Sequence, residues 1–538
     1  MKAYAKGESE PALLEKTIGA TLQDTASRFG AREALVDAAA GRRWTWSELD
    51  ADVNRLAKGL LAAGLEAGDR LGIWAPNCAQ WVLAQFATAK LGVILVNVNP
   101  AYRTHEYAYA VNHSRMRMLI TLTRFKTSDY RGMVQATAAD TPSLQRVVYL
   151  DTGDWDELLA QGEPVADQAL AERLAATSPG DAINIQYTSG TTGYPKGAVL
   201  SHRNILNNGY QVTGMIKLTE EDRLCIPVPF YHCFGMVMGN LGCVARGTTM
   251  VIPAPGFDAE ATLRVVAEER CTGLYGVPTM FIAMQNHPDF ARYDLSLLRT
   301  GIMAGSICPV EVMRRCVEDM GMSAVSIAYG MTETSPVSCQ TRADDDFEHR
   351  TATIGRVHPH VEIKVVDPAT GATLERGQTG EYCTRGYSVM LGYWDDQEKT
   401  RAAIDAEGWM HTGDLAVMRE DGYCTIVGRI KDMVIRGGEN IYPAEIEEFL
   451  YKHPDIEDVS VIGVPDPKFG EVICACLRMK AGRQPLDVEA IRAYCEGQLA
   501  HYKIPAYVRI LEEFPTTVTG KIRKNQLRED AAAQLHLS

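Results

Sequence analysis

Apolar positions recur along the chain with two periods, helical and strand-like, in alternation. Over 47–63, Leu49, Val53, Leu56 and Leu60 fall on one helical face, with Ser47 placed to cap the helix and Gly64 to stop it. The run 70–74 then reads as a strand, 78–90 as a second helix and Val93-Ile-Leu-Val-Asn-Val98 as a buried strand. Strand, helix and strand at that spacing predict a βαβ unit, hence a parallel sheet covered by helices. Strands at 118–121 and 146–150 continue the pattern, while 151–182 is polar and predicts surface structure. After a strand-like run at 182–187 and a helix-like segment opening at 201, a second βα array is predicted. It has strands near 223, at 250–253, 273–278 and 298–303, and a helix over 259–270. The strand near 223 leads into an aromatic, glycine-ended turn, Phe230-Tyr-His-Cys-Phe-Gly235.

From 354 to 427 the texture changes to short strands with Gly and Asp turns, which suits a small β-barrel or sandwich-like unit. A boundary falls near Arg429-Ile-Lys-Asp432, and helices at 443–452 and 486–499 with strands near 459–464, 472–479 and 507–511 predict a small α+β domain. The expected architecture is α/β. A large N-terminal domain, 1–430, holds two βαβ-type sheet subdomains and a small β-barrel subdomain, and a small α+β C-terminal domain, 431–538, follows.

Composition agrees with a folded globular chain of 538 residues, 46% hydrophobic and 23% charged. Lys and Arg total 54 against 68 Asp and Glu, and the net charge of −14 argues against nucleic-acid binding. Anionic ligands must then be held by local donors. The 13 cysteines are scattered without a CxxC pair, which predicts reduced thiols in a cytoplasmic protein rather than a disulfide framework or zinc site. The N-terminus carries no apolar signal region, and the most apolar stretch, 224–244, is interrupted by Pro227, Pro229, His232 and Asn240, so it reads as core rather than as a membrane span.

The densest candidate chemistry lies in Tyr187-Thr-Ser-Gly-Thr-Thr-Gly-Tyr-Pro-Lys-Gly197. Glycines let the backbone approach a ligand, successive N–H groups form an anion nest, and hydroxyls and one ammonium add donors, with no acid among them. A flexible surface connector is the plainer reading, but eleven acid-free residues ending in Pro-Lys-Gly fit a polyphosphate better. The spacing is not that of a Walker A loop, because Pro195 precedes Lys196 and Gly197 follows it. Downstream come Ala328-Tyr-Gly-Met-Thr-Glu-Thr334, Gly408-Trp-Met-His-Thr-Gly-Asp414, the run from Gly428 to Pro443 and Thr519-Gly-Lys-Ile-Arg-Lys524. Each alone has an ordinary structural reading: a helix cap, a turn, a domain linker and a solvated basic cluster.

Together and in this order, the five segments resemble the acyl-adenylate-forming (AMP-binding) superfamily, and most closely its bacterial fatty-acyl-CoA synthetases. The resemblance covers about residues 20–530. It implies a phosphate loop with Thr188, Ser189, Gly190, Thr191, Thr192, Gly193 and Lys196, and further ATP or AMP contacts from Gly305, Ser306, Gly330 and Met331. By the same resemblance Tyr329 stacks on adenine, Thr332 contacts phosphate and Glu333 helps hold Mg²⁺, as hard carboxylate oxygens do. Asp414 accepts from the ribose hydroxyls, Arg429 lies near ribose and phosphate, and Lys431 is the hinge of a mobile C-terminal domain. Gly437, Gly438 and Glu439 meet the CoA arm, and Lys521 is the catalytic lysine beside Thr332 and Glu333. The acyl pocket is expected from His232, Met236, Tyr275, Gly276, Met303, Ala304, Gly305 and Met331; a lone His in an apolar run also reads as a core residue. The implied reaction is ATP-dependent activation of a medium- to long-chain fatty acid as acyl-AMP, followed by transfer to CoA. An aromatic or alicyclic acid, a carrier protein as acceptor, and a non-catalytic acyl or nucleotide sensor are the alternatives. No carrier domain follows Ser538, which favours free CoA. Expected partners are the acid, ATP and CoA, without nucleic acid or transmembrane segment. Transient membrane association and a homodimer are both compatible with the chain.

Overall fold

The structure is a computed structural model that describes all residues except 189–194, 307, 437–438, 517–521, 536 and 538, and except the Asn440 side chain. Two large sheets carry the first three quarters of the chain. In a seven-stranded sheet, Arg70–Trp74, Ile94–Asn97, Met118–Thr121, Arg146–Tyr149 and Ala182–Thr188 run parallel, while Lys196–Ser201 and Gly392–Tyr393 extend one side antiparallel. A nine-stranded sheet is parallel through Arg223–Cys225, Thr249–Ile252, Gly273–Gly276, Thr300–Ala304 and Ala324–Gly330. It also takes Glu33–Asp37 and Arg42–Thr45 from the chain's start. One continuous apolar core reaches from Ile18 to Met410 across both sheets. Helix Ala79–Leu91 is buried along its whole length, and Gly92 ends it at φ 70°.

A third sheet of five antiparallel strands contains Val361–Val366, Thr379–Gly386, Met410–Met418 and Cys424–Arg429, and gains Tyr4–Lys6 at its edge. Every strand from Val434 onward belongs to a fourth sheet, in which Ile456–Asp466 and Gly470–Met479 form the long central hairpin. That sheet has its own apolar cluster, from Val434, Ile441 and Ile446 to Ile491 and Cys495. Among the described residues no helix is long and apolar enough to cross a membrane.

Two local expectations need correction, at the first long helix and at the aromatic turn, and two others gain detail. The first long helix starts at Trp46, and its cap is Thr45 rather than Ser47. Thr45 has Glu48 three residues on, and the two exchange backbone and side-chain hydrogen bonds in a capping box. The polar stretch 151–182 lies at the surface, as its composition predicts, and is built from two helices, Asp154–Gln161 and Asp167–Ala175, which bury only Trp155, Leu158 and Leu170. The segment after the phosphate loop returns as strand Lys196–Ser201 before helix His202–Met215 begins, with Ser201 as its cap. The aromatic turn leads into a helix, Phe234–Leu241, wound with the wide i→i+5 pattern. Gly235 allows that start, because a Cβ there would lie 2.4 Å from the Pro229 carbonyl oxygen.

Candidate active site

Strand ends assemble the site. Thr188 closes one strand and Lys196 opens the next, and the two are paired in register across the loop 189–194, which lies outside the described residues together with its candidates Ser189 to Gly193. On the neighbouring sheet, Ala324–Gly330 ends where a 3₁₀ turn, Thr332–Thr334, begins. Gly330 is required at this junction: a Cβ would sit 1.7 Å from the Pro336 carbonyl oxygen. The Met331 N–H donates to that same oxygen at 3.0 Å. The turn buries Glu333.

Glu333 is the meeting point of three segments. Its Oε1 accepts from the Tyr393 hydroxyl at 2.9 Å and from Thr188 Oγ1 at 3.4 Å, and its carbonyl accepts from Met390 N–H at 2.9 Å. Among the described residues both side-chain contacts fall on Oε1, which leaves Oε2 as a second hard acceptor. The Lys196 ammonium lies over the face of the Tyr393 ring, 5.0 Å from its centroid. Burial first, and then the charge of Glu333, raise the Tyr393 pKa, so its phenol stays a donor. Tyr393 was not among the sequence candidates. It lies 60 residues beyond Glu333 in the chain, and only the pairing of Gly392–Tyr393 with Lys196–Ser201 brings it here.

A second group lies on the third sheet. Asp414 and Arg429 are register partners on adjacent strands, and Arg429 Nε is 2.8 Å from Asp414 Oδ1. The approach is poorly aligned, so this buried oxygen accepts no well-formed hydrogen bond among the described residues. Its spare capacity suits a diol hydroxyl. The other oxygen accepts from the Tyr329 hydroxyl at 2.7 Å. Burial, followed by the charge of Asp414, holds the Tyr329 pKa well above its ordinary value. Gly413, at φ 70°, turns the chain so that Asp414 is presented. Its N–H is anchored on Glu381 Oε1 at 3.0 Å.

The acyl candidates cluster at the same strand ends. Gly276 and Met303 are paired, as are Ala304 and Ala328. Gly305 follows at φ 96°, where a Cβ would meet Val277 at 3.1 Å, and Ser306 is exposed. Tyr275 is fully buried against the Phe234 ring, with centroids 5.4 Å apart, and donates to the Met238 carbonyl at 3.3 Å. Met236 Sδ receives the amides of Asn97 and Gln186, each at 3.1 Å. His232 is half-buried and tilted on Tyr231, and Met331 packs against the main core.

The remaining candidates lie toward the C-terminal segment. Lys431 sits in the 3₁₀ turn Ile430–Asp432, and its carbonyl accepts from Arg528 at 3.4 Å. Glu439 opens strand Glu439–Ile441 opposite Arg436. Gly437, Gly438 and Lys521 lie outside the described residues. Thr516 and Ile522, which flank Lys521 and form an antiparallel bridge, line a cleft together with Thr279 at the start of helix Pro278–Gln285.

This arrangement has known counterparts. The profile described as AMP-binding enzyme matches residues 22–394, and that of the AMP-binding enzyme C-terminal domain matches 445–521. The protein YngI of Bacillus subtilis (strain 168) is 47% identical over 545 residues, covering 98% of this chain and 99% of that protein. The mitochondrial medium-chain acyl-CoA ligase ACSF2 of Danio rerio is 46% identical over 556 residues, covering 99% and 91%. The crystal structure of the anthranilate CoA ligase AuaEII with anthranoyl-AMP superposes with a TM-score of 0.88 at 26% identity, covering 98% of this chain and all of that one. With a buried carboxylate, a loop lysine and a diol acceptor gathered at adjoining strand ends, and with these matches across its length, the chain belongs to the AMP-binding enzyme family.

Proposed function

We infer that the protein is an AMP-forming ligase that activates a medium- to long-chain aliphatic acid and transfers it to CoA. The observation that carries this reading is the convergence of Lys196, Thr188 and Tyr393 on Glu333, beside the Tyr329–Asp414–Arg429 group. The first group suits a polyphosphate and the second an adenosine. The acid's carboxylate oxygen attacks the α-phosphorus of ATP, the bond to the bridging oxygen breaks and pyrophosphate leaves. The CoA thiolate then attacks the acyl carbon and AMP leaves, a better leaving group than hydroxide. Lys196 neutralises phosphate charge, Tyr329 packs against the base, Asp414 accepts from the ribose and Arg429 holds Asp414 in place. Lys521 supplies an ammonium to the charge that develops on the α-phosphate. Glu333, with a hard oxygen beyond its two hydrogen bonds, fits Mg²⁺; that ion supplies neutralisation of phosphate charge when bound.

The aliphatic substrate is supported by the name of the Danio rerio relative, which is far closer in sequence than the anthranilate ligase. Met236, Met303 and Met331 with Ala304 and Gly276 offer a flexible apolar wall. We place Lys431 as the hinge between domains 1–430 and 431–538, and Gly437, Gly438 and Glu439 on the CoA path. All thirteen cysteines are unpaired, which supports a reducing, cytoplasmic setting. Labelled pyrophosphate should exchange into ATP with acid present and CoA absent, and a panel of acids should give the fastest exchange with medium or long aliphatic chains. Exchange that strictly needs CoA would exclude a free adenylate, and a preference for aromatic acids would overturn the substrate.

A further inference from the structure

Behind the Asp414 turn, three side chains of unlike donor chemistry face one another. Glu381 and Cys383 are two residues apart on Thr379–Gly386, and His411 is the register partner of Cys383 on Met410–Met418. Glu381 Oε2 lies 2.9 Å from His411 Nδ1, Cys383 Sγ lies 3.5 Å from the same nitrogen, and the three atoms are all within 4.8 Å of one another. Each end of the pair is oriented from outside. Glu381 Oε1 accepts the Gly413 N–H at 3.0 Å. His411 Nε2 is 3.5 Å from Asp405 Oδ2, and Asp405 is itself fixed by the N–H groups of Glu407 and Trp409, each at 2.9 Å. An imidazole with a carboxylate on its outer nitrogen is the usual support of a metal-ligating histidine. Cys383 is buried, but the His411 side chain is 31% exposed, so an ion has a route in from solvent.

We propose that Glu381, Cys383 and His411 form a binding site for a thiophilic divalent cation of the zinc class, and that its occupancy weakens ATP binding. One sulfur, one nitrogen and one oxygen ligand with a fourth position left to water fit tetrahedral coordination. Mg²⁺, which prefers oxygen ligands, is disfavoured, so the site discriminates against the cation that serves ATP. On binding, the thiol proton goes to solvent and the imidazole proton resides on Nε2, facing Asp405. The Glu381–His411 contact opens to admit the ion. Glu381 also anchors Gly413, so drawing its carboxylate toward an ion disturbs the turn that presents Asp414. That consequence for ATP rests on Asp414 as the ribose acceptor; the cation site itself does not.

Co²⁺ titrated into the reduced, full-length, ATP-free protein tests the site. A thiolate-to-cobalt charge-transfer band should saturate at one equivalent, be displaced by Zn²⁺ and vanish in both Cys383→Ala and Cys383→Ser, whose activity with Mg²⁺ and without Zn²⁺ or Co²⁺ should match the parent's. Absence of the band in the parent, or its persistence in the variants, would overturn the site. In steady-state assays with Mg²⁺, Zn²⁺ should raise the apparent KM for ATP about fivefold or more in the parent and leave it unchanged in the variants; by reciprocity of binding, Mg²⁺-loaded ATP should weaken cobalt binding to the parent. Equal inhibition of parent and variants, or cobalt binding at Cys383 with no change in KM, would overturn the link to ATP.

Discussion

Tyr393 joins two groups that the chain keeps far apart: its hydroxyl holds Glu333 and its ring supports Lys196. Tyr393→Phe removes the first contact and keeps the second. A hydrogen bond to a charged group contributes roughly 1.5–3 kcal/mol, so pyrophosphate exchange should fall by about tenfold to a hundredfold. The fall should come with a higher Mg²⁺ midpoint, because the loosened carboxylate is the proposed metal ligand. Tyr393→Leu should in addition raise the KM for ATP by uncovering Lys196. An unchanged Mg²⁺ midpoint in Tyr393→Phe would separate Tyr393 from the metal. His202 offers a test of stability rather than catalysis. It is fully buried, and its Nδ1 accepts the Ile18 N–H at 3.2 Å, which requires the neutral ring. Burial lowers its pKa from 6.5 to about 4. The folded pKa is thus below the unfolded one. Its contribution is fully present above pH 6.5 and is lost as pH falls through 4, by about 3 kcal/mol at most. Urea unfolding of the parent and of His202→Gln across that window should show a shallower pH slope in the variant; identical slopes would reject the assignment.

At the scale of elements, the site depends on where strands stop. Parallel strands of an open sheet leave a crevice beyond their carboxyl ends, and Gly273–Gly276, Thr300–Ala304 and Ala324–Gly330 all end at the proposed acyl and adenosine site. Ala304 is the last residue of the middle strand and is almost buried, so a larger side chain there enters the crevice or the core. Ala304→Leu should shift the preferred acid toward shorter chains while leaving the KM for ATP near the parent's. Gly305 is unsuited to the same test, because any side chain is strained at its φ of 96°. A chain-length profile identical to the parent's would remove Ala304 from the pocket wall. The phosphate hairpin makes a related point. Lys196 is placed not by a helix but by strand pairing with Thr188, which sets the ammonium over Tyr393.

At the scale of the molecule, the proposed ATP ligands lie before Arg429 and the proposed catalytic lysine lies in the fourth sheet's segment, which has a separate core. Thr516 and Ile522, on either side of Lys521 in the chain, line a cleft with Thr279, and one pose of the C-terminal segment is proposed to serve adenylation. Gly437 and Gly438 would need another face of the same segment to serve CoA, so rotation about Lys431 is the proposed device. Lys521→Ala should lose adenylation, by about 2.7–4 kcal/mol if the ammonium acts as one preorganised donor. It should still convert supplied acyl-AMP and CoA to thioester. Lys431→Pro, which fixes φ at the turn, should keep adenylation and lose thioester formation. Equal loss of both half-reactions in both variants would reject two poses.

Local pattern was enough for most of the βα alternation, since burial on both faces makes parallel strands read as unbroken apolar runs such as Ile94–Asn97. Motifs of contiguous residues were legible because their members are close in sequence: Thr188 with Lys196, which strand pairing sets side by side, and Tyr329 with Glu333 at the end of one strand. Contacts between segments far apart in the chain were not legible. Nothing in Gly392-Tyr393 announces Glu333, nothing in Glu381 announces Gly413, and Tyr4–Lys6 gives no sign that it will pair with residues more than 350 positions away. The winding of Phe234–Leu241 also depended on close backbone approach, whereas the choice of Thr45 over Ser47 as cap follows from Glu48 three residues on, a local pattern that the chain does carry. Sequence by itself determined which residues could do the chemistry, because donor type and backbone freedom are local properties. Tertiary structure alone decided which of them meet, because strand pairing and shared burial join positions that no spacing connects.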